Sequence, residues 1–468
     1  MRVKAQYHKA TLPEHQGNPF IEALPPKKDY EYLMKAFTHY PKHDDEVRSY
    51  TALEREDYTS RLKTLRQPLP IYYDCFRSIE SAIKHGYLAK NPLSPTTAQY
   101  LHYPVDDKPN IEPSSGFFEA KGDGLTLIGD SGVGKSSMLE QVLNYFPSVI
   151  EHDIYNNKKM EHRNQVVWIK VDCPDKSSVR DLCEEILVCL DIAMESYSQP
   201  EATIGKLVRQ IEQRIKSSFL GILVIDEMQR LEFKRTGGEN NLLNFLHNLM
   251  NKLGVPIFFC ANPPFHETLS TTLKAARRAE SGGYFVMQPL ERSDPWWQAF
   301  IEELWVLQWT NIETELTEEL NNKLHTLSVG NLDLAHRIYK QAQNIVIGLP
   351  DETISCEVLE QAFAIACGLS SETEEIINRR DCLLIPRSSN TKNKNKSKQA
   401  SKAGVFADIN RPQHPEFEIK LRELQLAVNL HDIVEDPTLF QKAEFEDEPM
   451  KYLRKTGIVL DDPLTLFN

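Results

Sequence analysis

The residues at 129–136, Gly-Asp-Ser-Gly-Val-Gly-Lys-Ser, constrain this chain more than any others. They match the pattern G-x-x-x-x-G-K-[ST] at every fixed position. An apolar run, Leu125–Ile128, precedes them, and a stretch of helical character, Ser136–Tyr145, follows. A strand, a glycine-rich turn and a helix in that order let backbone N–H groups turn inward around an anion. The helix N-terminus adds partial positive charge at the same place. The segment therefore reads as a cradle for the phosphates of ATP, built from Gly129, Asp130, Ser131, Gly132, Val133, Gly134, Lys135, Ser136 and Ser137. Lys135 is the expected contact to the β- and γ-phosphates, and Ser136 the expected ligand of Mg2+.

Further strands are expected at Val166–Val171, Gly221–Ile225, Val255–Cys260 and Tyr284–Met287. Short, continuous apolar runs are what a parallel sheet covered on both faces requires. Helical stretches lie between them, the clearest being Asn240–Leu253. The alternation predicts a three-layer α/β domain. Gly221–Ile225 ends in Asp226-Glu227. Asp226 at that strand tip is expected to hold Mg2+ and Glu227 to polarise the attacking water, which implies hydrolysis to ADP and phosphate. Asn262 ends the next strand and is the candidate sensor of the γ-phosphate. Arg277 and Arg278, on an expected helix at 272–280, are candidates to reach a neighbouring subunit's nucleotide and complete its catalytic set.

Around this core the composition changes. Residues 1–115 are rich in Pro, Tyr and charge, with an expected helix at Tyr73–Tyr87. Residues 116–292 form the α/β core. Residues 293–370 lose the strand signal and read as an all-helical lid, opening at Ser293 or Asp294 before Pro295. Residues 371–404 read as a flexible linker, with five lysines in Thr391–Gly404. Residues 405–468 form a tail with helical periodicity at Phe417–Leu430. The eight cysteines include no C-x-x-C pair and read as buried thiols of a reducing compartment. With no signal-peptide or membrane-span pattern, the expectation is a bacterial cytoplasmic protein without a membrane partner. The net charge of −13 argues against a generally basic nucleic-acid coat but leaves room for a local basic stripe.

The sheet-plus-lid layout resembles the AAA+ P-loop NTPase fold, with a five-stranded parallel sheet, a helical lid and terminal extensions. Several stretches are similar to TnsC, the AAA+ ATPase regulator of Tn-seven-like DNA transposons. These are Asn18-Pro19-Phe20-Ile21-Glu22-Ala23-Leu24-Pro25-Pro26, Gly86-Tyr87-Leu88-Ala89-Lys90-Asn91-Pro92, Gly221–Leu231, Ala275-Ala276-Arg277-Arg278, the Gly330-Asn331-Leu332-Asp333 turn and Leu453–Leu460. The resemblance implies an ATP-dependent regulator that assembles on double-stranded DNA as a homo-oligomer, either a heptameric ring or a hexameric filament. It would link a TnsD/TniQ-type target selector to the TnsA endonuclease and TnsB transposase. Residues 1–115 would meet the selector, and residues 405–468 the transposase. The family resemblance places DNA-backbone contacts at Lys176 and Arg180, and Lys234 and Arg235 are a second candidate set. Such phosphate contacts would carry no sequence information. Two departures stand out: Asp333 occupies the place of the usual lid arginine, with Arg337 a turn later, and Asn262 stands where relatives carry Thr. The competing reading is an AAA+ remodelling motor acting on a protein–DNA complex. The absence of an aromatic pore-loop triplet after the second strand weighs against it.

Overall fold

The computed structural model describes residues 1–93, 122–174, 178–230, 246, 250, 254–263 and 279–367. All of them belong to one compact unit, Met1–Ile385. The described strands are β1 (Arg2–Lys4), β2 (Gly124–Gly129), β3 (Val149–Tyr155), β4 (Lys158–Val166), β5 (Trp168–Asp172), β6 (Ile222–Asp226), β7 (Ile257–Ala261) and β8 (Gly283–Met287).

Five of these make one parallel sheet in the order β5-β6-β7-β2-β8. Burial follows position. Every residue of β2, β6 and β7 is buried, whereas the edge strands β5 and β8 are only partly so. Central strands covered on both faces have no solvent side for a polar residue, which is why their runs are continuously apolar. In register, Ile128 pairs with Ala261, Ile225 with Phe259, and Asp172 with Asp226. The C-terminal tips of β2, β7 and β6 therefore lie side by side, and the sequence carries its polar residues there.

The expected strand at Val166–Val171 divides in two. Val166 ends β4, and β5 starts at Trp168. Val166 and Val167 are wholly buried, but β4 belongs to a second sheet, ordered β1-β3-β4. In that sheet β3 and β4 form an antiparallel hairpin across Asn156-Asn157, with φ of 47° and 60°. Two consecutive left-handed residues are the requirement of a type I′ hairpin turn, which asparagine meets at low cost.

The expected N-terminal helix is longer than its periodicity implied, spanning Pro70–Leu88, with Phe76, Ile79 and Ile83 on its buried face. The two N-terminal motifs fasten this part of the chain to the core. Asn18 accepts from the Phe20 N–H at the start of the Pro19–Glu22 helix and donates to the Tyr87 carbonyl at 2.8 Å. The Tyr87 hydroxyl donates to the Phe219 carbonyl at 3.0 Å, and Lys90 Nζ donates to those of Leu220 and Gly254 at 3.0 and 3.1 Å. These are the carbonyls that lead into β6 and β7.

After β8 the described chain is helical: Pro295–Val306, Glu318–Ser328, Leu332–Val346 and Cys356–Ala366. Asp294, Thr317, Asn331 and Ser355 each cap one helix by accepting a backbone N–H. Pro295 at the first helical position needs no N–H partner there. Among the described residues every cysteine is free, and no helix is long and apolar enough to cross a membrane. The expected helix at Asn240–Leu253 lies outside the described residues except for Leu246 and Met250, both helical and buried. The linker at 371–404 and the tail at 405–468 lie wholly outside them.

Candidate nucleotide-binding site

The turn after β2 is shaped by its glycines. Gly132 and Gly134 hold φ of 81° and 101°, where a side chain is strained, and Gly134 caps the Lys135–Asn144 helix. That helix starts with free N–H groups facing the turn, as an anion site requires. Lys135 is 7% exposed, and its ammonium donates to the carbonyls of Gly129 and Asp130 at 2.7 Å each and to Asn262 Oδ1 at 3.0 Å. Burial pushes its pKa below the usual lysine value, against the pull of nearby acidic groups that include Glu227 and Asp226.

The neighbouring strand tips bring up the rest. Ser136 Oγ donates to Asp226 Oδ2 at 3.1 Å. A hydroxyl and a carboxylate together are the hard-oxygen donors that Mg2+ takes when water and phosphate oxygens complete its shell. The structure adds a group the sequence reading missed: Lys170 of β5 sits 3.1 Å from the same Asp226 oxygen and 2.6 Å from Asp172. In the β5–β6 register Lys170 lies opposite Val224, two residues before Asp226 on the same face, and its long side chain reaches along that face to the carboxylate. Burial would raise the Asp226 pKa, but a Cys260 thiol hydrogen bond and the Lys170 charge outweigh it and hold the carboxyl below its ordinary value. Residues 136 and 226 thus fit a bound Mg2+, and Lys170 balances the carboxylate charge beside them.

Glu227 has φ of 57°, a left-handed backbone that glutamate rarely adopts. Its N–H donates to Asp226 Oδ1 at 2.9 Å. Its carboxylate accepts from Gln229 Nε2 at 2.6 Å and pairs with Arg230 at 3.3 Å. Gln229 Oε1 in turn accepts the Asn262 N–H at 3.1 Å. A backbone N–H can only donate, so the amide orientation of Gln229 is fixed and links the expected sensor to the expected water-polarising residue.

Beside the turn lies a cavity of about 530 Å³, lined by Gly132, Gly134 and Ser137 and, from either side, by Arg66, Tyr72 and His336. The N-terminal stretch and the lid thus form its walls, which no motif announced. Arg337 is paired with Asp333 at 3.0 Å on its own helix. Arg180 donates to the carbonyls of Ala202 and Glu201 at 2.7 and 3.1 Å and pairs with Glu184. Lys176, Lys234, Arg235, Arg277 and Arg278 lie outside the described residues. Among the described residues no cluster of His, Cys, Asp and Glu forms a separate metal site.

Residues 121–269 match a family model described as an AAA domain. No curated protein matches the chain. Among solved structures, the Walker-type ATPase PABY2304 of Pyrococcus abyssi is 16% identical over 55% of this chain and 72% of its own, with a TM-score of 0.36. The ORC1 protein of Aeropyrum pernix, solved in complex with DNA, is 16% identical over 52% and 59%, with a TM-score of 0.36. Cdc6p of Pyrobaculum aerophilum is 12% identical over 75% and 92%, with a TM-score of 0.38. With the AAA domain match spanning β2, β6 and β7 and their tips, the chain has the AAA+ P-loop fold, a five-stranded parallel sheet followed by helical elements.

Proposed function

We propose that this chain is an ATP-hydrolysing AAA+ ATPase that acts on DNA and on protein–DNA complexes. The observation that carries the ATPase part is the convergence of Lys135, Ser136, Asp226, Glu227 and Asn262 at adjoining strand tips. Mg2+ at Ser136 and Asp226 would neutralise phosphate charge when bound. The chain's own residues then have separable roles. The turn's N–H groups and Lys135 hold the phosphates, Asp226 and Ser136 hold the metal, and Glu227 orients water.

The finer reading is a TnsC-type switch. ATP favours assembly of a ring or filament on duplex DNA, and hydrolysis releases it. The assembled state is read by a TnsD/TniQ-type selector and by TnsA and TnsB, in a bacterial cytoplasm. The support is the set of resembling stretches, from Asn18–Pro26 to Leu453–Leu460. Arg277 or Arg278 would act in trans, and Lys176, Arg180, Lys234 and Arg235 would contribute phosphate contacts. For Arg180 this requires release of its bonds to Glu201 and Ala202. A remodelling motor on a protein–DNA complex is the second reading, because the Glu227 arrangement serves repeated turnover equally well.

Electron microscopy with duplex DNA under ATP, a non-hydrolysable analogue and ADP tests the proposal. The expected result is closed assemblies on DNA only with triphosphate, DNA affinity that falls as salt rises, and neither with Lys135→Ala. Slow, DNA-stimulated hydrolysis supports the switch; fast turnover coupled to displacement of bound protein or strand supports the motor. Equal DNA loading by Lys135→Ala and unaltered protein would refute both.

A further inference from the structure

The first four carbonyls of the phosphate turn, those of residues 129–132, are held by two different parts of the chain. Lys135 holds those of residues 129 and 130. The next two are held by the lid: Asn331 Nδ2 donates to the Ser131 carbonyl at 2.8 Å, and the Asp333 N–H donates to that of Gly132 at 3.1 Å. Across a planar trans peptide the C=O of one residue and the N–H of the next point in opposite directions. Fixing the carbonyls of 131 and 132 toward the lid therefore turns the N–H groups of Gly132 and Val133 the other way, toward the space an anion would fill.

Asn331 is itself tightly placed. It is 1% exposed, and its Oδ1 accepts the Leu334 N–H at 3.2 Å, capping the Leu332–Val346 helix. Its own N–H donates to the Ser328 carbonyl at 2.9 Å, and Leu290 N–H donates to the Gly330 carbonyl at 2.9 Å. Gly330 has φ of 71°, and a Cβ there would lie 1.9 Å from the Leu290 carbonyl oxygen, so the turn presenting Asn331 admits only glycine. The approach to the phosphate turn is equally close: a Cβ on Gly132 would meet Asn331 Oδ1 at 2.7 Å. Serine, threonine or aspartate caps a helix as well as asparagine, but none of them also carries an amide donor. Only asparagine and glutamine combine acceptor and amide donor, and of these asparagine is the good cap.

We infer that Asn331 is a positioning residue for nucleotide: through the lid it orients the peptides at 131–133 and so couples lid position to the affinity of the phosphate turn. The inference rests on reading residues 129–136 as the nucleotide loop. It gives this lid a grip on the phosphate turn through backbone carbonyls, although Asp333 stands where an arginine would reach the phosphates directly.

The test uses the full chain and compares ATP and ADP affinities of unaltered protein, Asn331→Ser and Asn331→Asp, with Ser355→Ala as a cap control elsewhere in the lid. Both position-331 variants keep a capping oxygen and lose the amide donor: aspartate has no donor, and the serine hydroxyl ends one bond short of the position of Asn331 Nδ2. The expected result is a roughly three- to tenfold rise in Kd, the effect of about one hydrogen bond, in variants that remain folded. Their melting temperature falls as well, because the lost bond is made by a buried side chain, and the cap control separates that loss from the loss of affinity. Ser355→Ala lowers melting and leaves Kd unchanged. Unaltered Kd in either folded position-331 variant overturns the inference. Hydrogen exchange on the unaltered, nucleotide-free protein gives an independent readout: the Asp333 amide exchanges slowly, and exchange at the rate of an open chain overturns the inference whatever the variants do. Unaltered protein that binds neither nucleotide refutes the reading of the loop itself, a separate outcome.

Discussion

Glu227 is held in a backbone conformation that works against folding. A non-glycine residue at φ of 57° costs about 1 kcal/mol or more, and such strain is retained where surrounding structure fixes it. Here the fixing groups are the Asp226 carboxylate, the Gln229 amide and the Arg230 guanidinium. Two substitutions separate strain from chemistry. Glu227→Gly relieves the backbone and removes the carboxylate, so unfolding free energy should rise by roughly 0.5–1 kcal/mol while phosphate release is lost. Glu227→Gln keeps size and backbone but cannot act as a base, so hydrolysis should fall about a hundredfold or more with ATP affinity retained. Denaturant unfolding and phosphate release measure the two effects; a Glu227→Gln protein hydrolysing at the normal rate would remove this residue from the mechanism. Asp226, Glu227 and Asn262 were legible in the sequence because each ends an apolar run, and in a parallel sheet run ends share one edge. Lys170 and Gln229 were not, because each owes its role to register and side-chain reach, which spacing along one strand does not carry.

At the level of elements, the central strands were legible because burial on both faces forces continuous apolar runs, whereas the β1-β3-β4 sheet was not. Its interior holds His152 and Gln165, bonded to each other at 2.9 Å, with Tyr7 on the other ring nitrogen. Buried polar residues that satisfy one another read as surface in a hydropathy pattern. The Asn156-Asn157 pair was the visible signal, one that needed alternating apolar flanks to stand out. The same limit applied to Gly86–Pro92, legible as a motif but not as a device. Lys90 there serves carbonyls that neither β6 nor β7 can pair, at the edge where the Pro70–Leu88 helix meets the core. Lys90→Met keeps the aliphatic volume and leaves both carbonyls unsatisfied in a buried site. The expected cost is about 2–6 kcal/mol, at roughly 1–3 kcal/mol for each of the two acceptors left unpaired. Urea unfolding measures it, and nucleotide affinity should stay within error, since the contact lies at the opposite end of the strands from the phosphate turn. Unchanged stability would mean that water reaches those carbonyls.

Across the described unit, the N-terminal stretch, the α/β core and the lid share the cavity beside the phosphate turn, so whatever ties the first to the last bears on the space between them. Besides the apolar cluster they share, one buried tie is ionic. Arg55, from the Ala52–Tyr58 helix, pairs with Glu352 in the turn before the last described helix, each side chain 6% exposed. Arg55 also donates to the Trp309 carbonyl at 3.0 Å, while Glu352 accepts the Asn311 and Gly348 N–H groups. Burial alone would raise the Glu352 pKa. The Arg55 guanidinium and the two N–H donors outweigh it and bring the carboxyl down to about 2. A carboxyl whose folded pKa lies below its unfolded value, about 4.3, binds fewer protons when folded across that interval. Its stabilisation is therefore complete above pH ~4.3 and is lost as the pH falls from there towards 2. Urea unfolding between pH 6 and pH 3 should show this loss in the unaltered protein and a shallower dependence in Glu352→Gln. At pH 7, where the carboxylate is fully charged, Glu352→Gln should cost about 3–5 kcal/mol by leaving Arg55 buried without a counter-charge. The double variant Arg55→Met, Glu352→Leu removes both charges and should recover most of that loss, because an apolar pair of similar volume has no desolvation to offset. If the double variant were as unstable as the single one, the tie would be a hydrogen-bond scaffold for the Gly348 and Asn311 turns and not an ion pair, and the acid sensitivity should then persist in Arg55→Met alone.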